Sequence, residues 1–384
     1  MRVCFISFEY PPNVLGGAGT YAEAIVKGLR HRGVDVYVIT RGDRNACDKK
    51  MFRVPTSNVP YLRRLFFMKP ALSLLRELKK QLKFDLVHFN EPHIILRKLG
   101  FPTVCTVHST QVNEIKLKLA DLKVVKTATD IRDLILKSPV GSICDILTAH
   151  ATDKIICPSP HLARLIRSYC FVDEERVCVI PNGIDLEAFD RVKGCDAAVL
   201  SKYDLERNNY ILFIGRLSSF KGVQYLIAAF RTIKKEYANL KLAIVGTGDF
   251  ENYLRNLAHG IKDVVFTGYV DSLKVKRTLY ENSLVVVVPS IYDALPMVVL
   301  EAMAYSKPVI ASNVGSVPLL IKHGKNGFLA KPGDSKGLER FVGMLYDNEN
   351  LRKSMGSFGR KLVEKEFAIN KMVDRTLELY KSMC

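Results

Sequence analysis

Residues 284–304 read LVVVVPSIYDALPMVVLEAMA. The valine run that starts at Leu284 and stops at Pro289 has the length and β-branched composition of a buried strand. The loop behind it carries Asp293, and the apolar segment that follows predicts a helix, in which Glu301 is the single acid. The stretch therefore predicts one strand, loop and helix of a parallel sheet, with two carboxylates placed after the strand.

The same alternation of short apolar runs and helical patterns extends from this unit in both directions. Further strands are predicted at 3–8, 34–40, 85–89, 103–108, 154–157, 177–180, 210–214, 240–245, 263–266 and 308–312. A charged, weakly patterned stretch near residue 190 divides the two series. The pattern predicts an α/β protein with two doubly wound, Rossmann-like domains, 1–187 and 188–369, that face a central cleft. A last helix at 370–384 is expected to cross back onto the first domain.

Length and composition agree with two folded domains. The chain has 384 residues, of which 48% are hydrophobic and 25% charged, and it is too long for one ordinary core. No apolar run approaches the roughly 18 residues that cross a bilayer. The first apolar run is closed by Glu9 and two prolines, which favours a buried strand over a signal peptide and predicts a cytoplasmic protein.

Two patterns bear on metals and disulfides. The nine cysteines include no Cys-x-x-Cys pair and have no paired histidine spacing, so they predict reduced thiols rather than a disulfide framework or a zinc site. The chain also contains no Asp-x-Asp triplet. We therefore expect neither a metal ion nor another cofactor to take part in the reaction.

The net charge of +18 attracts phosphates, nucleic acids and anionic lipids alike. Segment 61–83 concentrates this charge, because it carries seven basic residues against one acid while leucines recur at helical spacing. One interpretation is a basic amphipathic helix that docks on the anionic inner face of a membrane. The other is a surface helix that packs its leucines on the sheet. No nucleic-acid recognition module is present, so nucleic acid is not expected as a partner.

Two glycine-rich loops are candidate phosphate sites. The loop at 13–19 follows the first strand, and Gly16 and Gly17 would let backbone N–H groups approach an anion at a helix start; a plain tight turn is the alternative. Segment 215–222 reads GRLSSFKG and places Arg216 and Lys221 on one strand-to-helix loop, where both can reach a single diphosphate. Solvated surface cations are the alternative there.

The carboxylates of the opening stretch suit hydrogen bonds to sugar or ribose hydroxyls. Glu301 lies in an otherwise apolar helix, where an acid needs a partner. A structural cap or ion pair is the alternative interpretation of both acids.

Taken together, these motifs resemble the family 4 retaining glycosyltransferases, which have the GT-B architecture. The resemblance rests on GG at 16–17, GRLSSFKG at 215–222 and DALPMVVLEAMA at 293–304. Supporting motifs are PNGID at 181–185, VGTG at 245–248, FTGYV at 266–270 and GKNGF at 324–328.

The resemblance implies an enzyme that moves a sugar from a UDP- or GDP-sugar to a glycan or lipid-linked acceptor. The first domain would bind the acceptor and the second the donor. Gly16 and Gly17 would face the donor diphosphate, Arg216 and Lys221 would clamp it, and Glu301 would hold the ribose.

Further roles follow from the same resemblance. The backbone at Met297 and Val298 would complete the phosphate site, and the turn of Tyr269 and Val270 would lie beside the base. His108, at the end of a predicted strand, would contact the donor sugar.

Two positions depart from the family pattern. Asp293 stands where the family usually has glutamate, and Leu319 replaces the acid of a frequent loop. Two alternatives stay open: a sugar-nucleotide epimerase, which shares the two-domain architecture, and a protein that binds nucleotide sugars without catalysis, which these two departures suggest.

Overall fold

The computed structural model of the chain describes residues 1–13, 16–42, 50–57, 63–92, 94–110, 138–191, 194 and 196–384. Contacts among them form two compact units. The first unit contains residues 1–110, 138–183 and 369–384 of this described set, and the second contains residues 184–368. The change of unit therefore falls between Gly183 and Ile184.

The first unit is built on a parallel sheet of seven strands. They are β1 (Arg2–Ser7), β2 (Asp35–Arg41), β3 (Met51–Val54), β4 (Leu86–Asn90), β5 (Thr103–Thr106), β6 (Lys154–Cys157) and β7 (Val177–Val179). Their order in the sheet is β3-β2-β1-β4-β5-β6-β7. The order reverses between β1 and β4, and crevices at such a reversal are where doubly wound sheets bind ligands.

Helices cover both faces of this sheet because alternate side chains of β1 point to opposite sides. The first helices are α1 (Gly17–His31), α2 (Arg63–Gln81), α3 (Ser138–Ala151) and α4 (Pro160–Cys170). Val3 and Phe5 pack in one cluster with α1. Cys4 and Ile6 pack in the other with α2.

The packing of helix α2 shows which of the two interpretations of segment 61–83 applies to the leucines. Leu75 and Leu78 are buried in the core beneath the sheet, and Leu74 and Leu82 pack against the same cluster. The leucine stripe is therefore used for folding. The lysines of α2 remain exposed, and their contact with an anionic surface stays a prediction.

The second unit has a parallel sheet of six strands. They are β8 (Tyr210–Ile214), β9 (Lys241–Val245), β10 (Val264–Gly268), β11 (Val285–Val288), β12 (Val309–Ser312) and β13 (Gly327–Ala330). Their order is β10-β9-β8-β11-β12-β13, so this sheet reverses between β8 and β11. The predicted α/β class with two doubly wound sheets is confirmed.

Nine helices of the second unit lie in its described part. They are α5 (Leu186–Arg191), α6 (Ala197–Lys202), α7 (Val223–Glu236), α8 (Glu251–Ala258), α9 (Leu273–Asn282), α10 (Met297–Ala304), α11 (Val317–Leu320), α12 (Ser335–Asp347) and α13 (Glu349–Glu366). Helices α7 and α10, which follow β8 and β11, pack in different core clusters. They therefore start from the same edge of the sheet and cover opposite faces.

The last helix, α14 (Ile369–Lys381), belongs to the first unit. Met372, Val373 and Tyr380 are buried in the cluster that contains α1. No described helix has the length and apolar character needed to span a membrane.

Candidate active site

The side chains of Lys221 and Asp293 meet at the carboxyl edge of the second sheet. Lys221 ends a 3₁₀ turn after β8, and Asp293 lies in the loop after β11. The Nζ atom of Lys221 donates to Oδ2 of Asp293 at 2.5 Å, with side chains 32% and 12% exposed. Because β8 and β11 flank the reversal of strand order, the pair lies where this type of sheet binds ligands.

Two glycines allow the loops behind this pair to touch through their backbones. Gly222 has φ +70°, and a Cβ there would lie 1.8 Å from the carbonyl oxygen of Pro289. Gly315 has φ +51°, and its Cβ would lie 2.0 Å from the carbonyl oxygen of Asp293. Any other residue would force these loops apart, so the glycines fix the positions of the two charged residues.

Arg216 lies on the same loop as Lys221 but is held much less firmly. Its side chain is 72% exposed, and its Nη2 atom is 3.9 Å from Oδ1 of Asp249. A guanidinium at that distance and exposure gains little from the ion pair. Arg216 is therefore able to turn toward an anionic ligand at small cost.

Helix α10 begins with Met297 and Val298, both half-buried, after Pro296. No side chain in the described part of the chain caps its first turn. The backbone N–H groups at a helix start carry partial positive charge and suit phosphate oxygens. One turn further along α10, Glu301 accepts a hydrogen bond of 2.7 Å from the hydroxyl of Tyr280.

Tyr280 is fully buried in α9, and burial raises its phenol pKa well above the ordinary value. It therefore stays protonated and donates to Glu301. The structure thus answers how an acid is accommodated in an apolar helix: a buried phenol orients the half-buried carboxylate.

Tyr269 and Val270 follow β10 and differ in exposure. Val270 is buried in the core, whereas Tyr269 is 67% exposed and its hydroxyl is 3.3 Å from Oδ1 of Asp271. The turn is tied to its neighbours because Gly246 N–H donates to the carbonyl of Gly268 at 2.9 Å. A ligand at this turn would meet the Tyr269 side chain and backbone.

In the first unit, the carboxylate of Glu9 bonds the glycine-rich loop, a contact that the sequence did not predict. The N–H of Gly16 donates to Oε2 of the buried Glu9 at 3.0 Å. Gly16 caps α1, and Gly17 is its first residue. The Gly16 N–H is therefore already bonded, which leaves the following amides of the loop as the candidate anion donors.

His108 lies just after β5, half-buried, with its ring edge-on to Tyr21 at 4.8 Å between centroids. Its Nε2 atom is 2.9 Å from Oδ1 of Asn90, which ends β4. Asn90 was also missed by the sequence analysis. The sequence did contain a signal for Asn90, because it is a polar residue directly after the strand predicted at 85–89.

A buried polar chain runs beneath these residues. Tyr21 hydroxyl and Thr106 Oγ1 are 3.1 Å apart, and His88 Nε2 lies 2.7 Å from the same Oγ1. His88 Nδ1 is bonded to the hydroxyl of Tyr380 from α14. Burial, with a contribution from the nearby His108, lowers the pKa of His88 to about 3.

A cavity of about 60 Å³ lies in the first unit, and its lining includes Val107 and Ser109, the two chain neighbours of His108. Its polar lining includes Glu91, Ser109 and Asp145. The described residues include no group of three or more His, Cys, Asp and Glu side chains arranged to hold a metal ion.

Two family models match the chain. Residues 15–188 match the model of Glycosyltransferase Family 4, and residues 201–362 match that of Glycosyl transferases group 1. An uncharacterized glycosyltransferase of Methanocaldococcus jannaschii is 28% identical, over 99% of this chain and 98% of the relative. The alpha-maltose-1-phosphate synthase of Mycolicibacterium smegmatis is 27% identical over 100% of both chains.

Solved structures show the same fold at lower identity. Sucrose-phosphate synthase from Thermosynechococcus elongatus has a TM-score of 0.77 and 20% identity, covering 99% of this chain and 98% of that one. HepE of Anabaena, solved with UDP-glucose, has a TM-score of 0.73 and 19% identity over 100% of both chains.

Proposed function

The chain belongs to the family 4 glycosyltransferases and has the GT-B fold, and from this premise we propose a specific transfer reaction. It moves a sugar from a UDP- or GDP-sugar to a glycan or lipid-linked acceptor, with retention at the anomeric carbon and without a metal ion. The second unit binds the donor.

The Lys221–Asp293 pair is the observation that carries the proposal. When the glycosyl bond breaks, negative charge develops on the departing diphosphate, and fixed cations stabilise it in the transition state. Lys221 is such a cation, because its loop is fixed against β11 through Gly222. In the free protein Asp293 satisfies the ammonium group.

When the donor binds, the side chains of Lys221 and Asp293 change their hydrogen-bond partners. The diphosphate accepts from Lys221 and from the first N–H groups of α10, and the exposed Arg216 turns to supply a second cation. Asp293, which remains beside them, binds a hydroxyl of the donor sugar. Its shorter side chain, compared with glutamate, requires the sugar to approach the loop more closely.

Glu301 is proposed to bind the ribose hydroxyls. Tyr280 donates to one carboxylate oxygen and so orients the group on α10. A carboxylate held in this way accepts hydrogen bonds from a vicinal diol without reorganising.

The finer parts of the proposal have different support. Metal independence is supported by two cations on one loop, Arg216 and Lys221, which supply the charge that a metal ion would provide. Retention is supported by the family alone. A UDP-sugar is supported by HepE, whose structure holds UDP-glucose.

Thermal unfolding in EDTA with UDP, GDP, ADP and their common sugar conjugates tests the donor site. One nucleotide at 100 times its Kd is expected to add about 2.7 kcal/mol to the free energy of unfolding. Lys221→Ala should abolish this stabilisation and lower kcat/KM by about 100- to 1000-fold. Arg216→Ala should weaken the stabilisation by the nucleotide.

Lys235→Ala is the matched control, because Lys235 is an exposed cation in the last turn of α7. That turn lies about 20 Å from the start of the helix, at 1.5 Å per residue. Nucleotide should stabilise Lys235→Ala as much as it stabilises the unmodified protein. Full nucleotide stabilisation of Lys221→Ala would remove this residue from the donor site.

A further inference from the structure

Helix α3 of the first unit presents a row of large apolar side chains to solvent. Val140, Ile143 and Leu147 are 56%, 59% and 37% exposed. Their spacing of three and four residues places them on one face of the helix, in a stripe about 10 Å long. Cys144 and Thr148, one position further round the helix, are buried. Single exposed apolar residues are common, but an aligned row marks a contact surface.

The crossover between β4 and β5 adds another exposed apolar side chain beside this stripe. Leu96 is 69% exposed. The N–H of its neighbour Ile95 donates to Oγ1 of Thr148 at 3.0 Å, and Thr148 directly follows Leu147 in α3. Ile95 and Ala151 are buried in the same cluster as the leucines of α2. Helix α2, the crossover and α3 therefore form one layer on one face of the sheet.

The remaining exposed surface of this layer is strongly basic. Between residues 76 and 98 the exposed cations are Arg76, Lys79, Lys80, Lys83, Arg97 and Lys98. Among the described residues of the same span, the exposed acids are Glu77 and Asp85. Nζ of Lys98 lies 3.6 Å from Oδ1 of Asp153, just after α3, so the basic surface reaches the helix that carries the stripe.

We propose that this layer docks the protein on an anionic lipid bilayer. The cations bind the headgroups, while Leu96 and the stripe of α3 enter the interface between headgroups and acyl chains. A bilayer offers both kinds of contact at once. Docking needs no nucleotide, so the inference goes beyond the transfer reaction and does not depend on it.

Charge argues for a bilayer over two other partners. In a symmetric dimer the same patch contacts itself, so a second copy of the chain would bring the cations of the two copies together. A nucleic acid would satisfy the cations but leave the apolar stripe in water. An anionic bilayer covers both parts of the surface.

A single tryptophan tests whether the stripe enters the bilayer. The chain contains no tryptophan, so Ile143→Trp places one fluorescent reporter in the stripe. With vesicles of equimolar phosphatidylcholine and phosphatidylglycerol, we expect its emission to shift to shorter wavelength and brominated acyl chains to quench it. Phe358→Trp, at a position 40% exposed on α13 of the second unit, is the matched control and should show neither change.

Two fluorescence results would overturn the proposal. Emission of Ile143→Trp that is unchanged and unquenched by these vesicles would mean that the stripe stays outside the bilayer. A shift that occurs without vesicles and grows with protein concentration would identify a second copy of the chain as the partner.

Co-sedimentation with the same vesicles measures how much the stripe contributes. The double variant Ile143→Ser, Leu147→Ser should bind about 10- to 100-fold more weakly, because it removes apolar surface that the bilayer would bury. Met344→Ser with Phe358→Ser removes two similarly exposed apolar side chains from the second unit and should leave binding unchanged. Equal binding of the two double variants would reject the stripe as the inserted element.

A second comparison measures the role of the cations. Exchanging the α2 residues Lys79, Lys80 and Lys83 for glutamine should weaken binding about 100-fold. The same exchange at the exposed Lys325, Lys331 and Lys336 of the second unit changes the net charge equally and should keep most of the binding. Binding should also weaken as NaCl is added. Equal losses in the two triple variants, or equal binding to vesicles of phosphatidylcholine alone, would overturn the proposal.

Discussion

At the scale of single residues, the Lys221–Asp293 ion pair is better explained by ligand binding than by stability. Ion pairs that remain partly exposed contribute about 0–1 kcal/mol, and Lys221 is about one-third exposed. Two positive-φ glycines are nevertheless required to bring its loop and that of Asp293 into contact with their neighbours. Such geometric constraint around a weakly stabilising pair is what a preorganised binding site requires.

Gly222→Ala tests that constraint. The new Cβ would lie 1.8 Å from the carbonyl oxygen of Pro289, so the Lys221 loop must move away from β11. We expect the free energy of unfolding to fall by about 1–3 kcal/mol beyond the cost of a positive φ, and nucleotide stabilisation to be lost. Urea unfolding with and without the stabilising nucleotide measures both.

Gly260→Ala is the control for the backbone term. Gly260 has φ +76° in the same unit, but no atom of the described residues lies within 4 Å of the position that a Cβ would take there. Gly260→Ala should lower the free energy of unfolding only by the cost of the positive φ, about 1–2 kcal/mol. Nucleotide should still stabilise this variant. Equal losses in the two variants would show that close packing against Pro289 contributes nothing.

At the scale of helices and strands, the sequence predicts central elements better than edges. The valine run of β11 and the apolar run of β1 are buried on both faces and are recognisable without a partner. The edge strands β3 and β13 were missed. Each has four residues with no alternation, and such short runs acquire strand geometry only from the neighbouring strand.

The candidate site divides in the same way. Lys221, Asp293 and Glu301 lie in local motifs and were predicted from residue type and spacing. Glu9 and Asn90 acquire their roles from contacts that the folded sheet creates, such as the bond between Asn90 and Ser7 across 83 positions of sequence. Pairings of that range are not visible in a local pattern.

The packing of α14 on α1 provides a test at this scale. A Cβ on Gly28 of α1 would lie 2.3 Å from Cγ2 of Val373 on α14. Gly28→Ala should therefore destabilise the protein by about 1–3 kcal/mol, although alanine favours a helix by about 1 kcal/mol. Urea unfolding followed by circular dichroism measures the change.

In a Val373→Ala background, the expected effect of Gly28→Ala on the free energy of unfolding is different. Removing the valine methyl groups makes room for the new Cβ, so Gly28→Ala in that background should be neutral or stabilising. The double variant then departs from additivity, as contacting residues do. Additive effects would mean that the two helices separate freely at this point.

At the scale of the whole molecule, buried His88 links stability to pH. Its folded pKa is about 3, against 6.5 for an unperturbed histidine, mainly because burial disfavours the charged ring. Between these values the unfolded chain binds a proton that the folded protein does not. Stability is therefore fully present above pH 6.5 and is lost as the pH falls toward 3.

The loss is large enough to measure in mildly acidic buffer. One pH unit within this window corresponds to about 1.4 kcal/mol, so lowering the pH from about 6.5 to about 5 should cost about 2 kcal/mol. His88→Gln cannot titrate and should flatten the slope of unfolding free energy against pH. An unaltered slope in His88→Gln would mean that the ring titrates in the folded protein. Since His88 joins Tyr380 of α14 to Thr106 of β5, that outcome would also show that protonation leaves this connection between the last helix and the sheet intact.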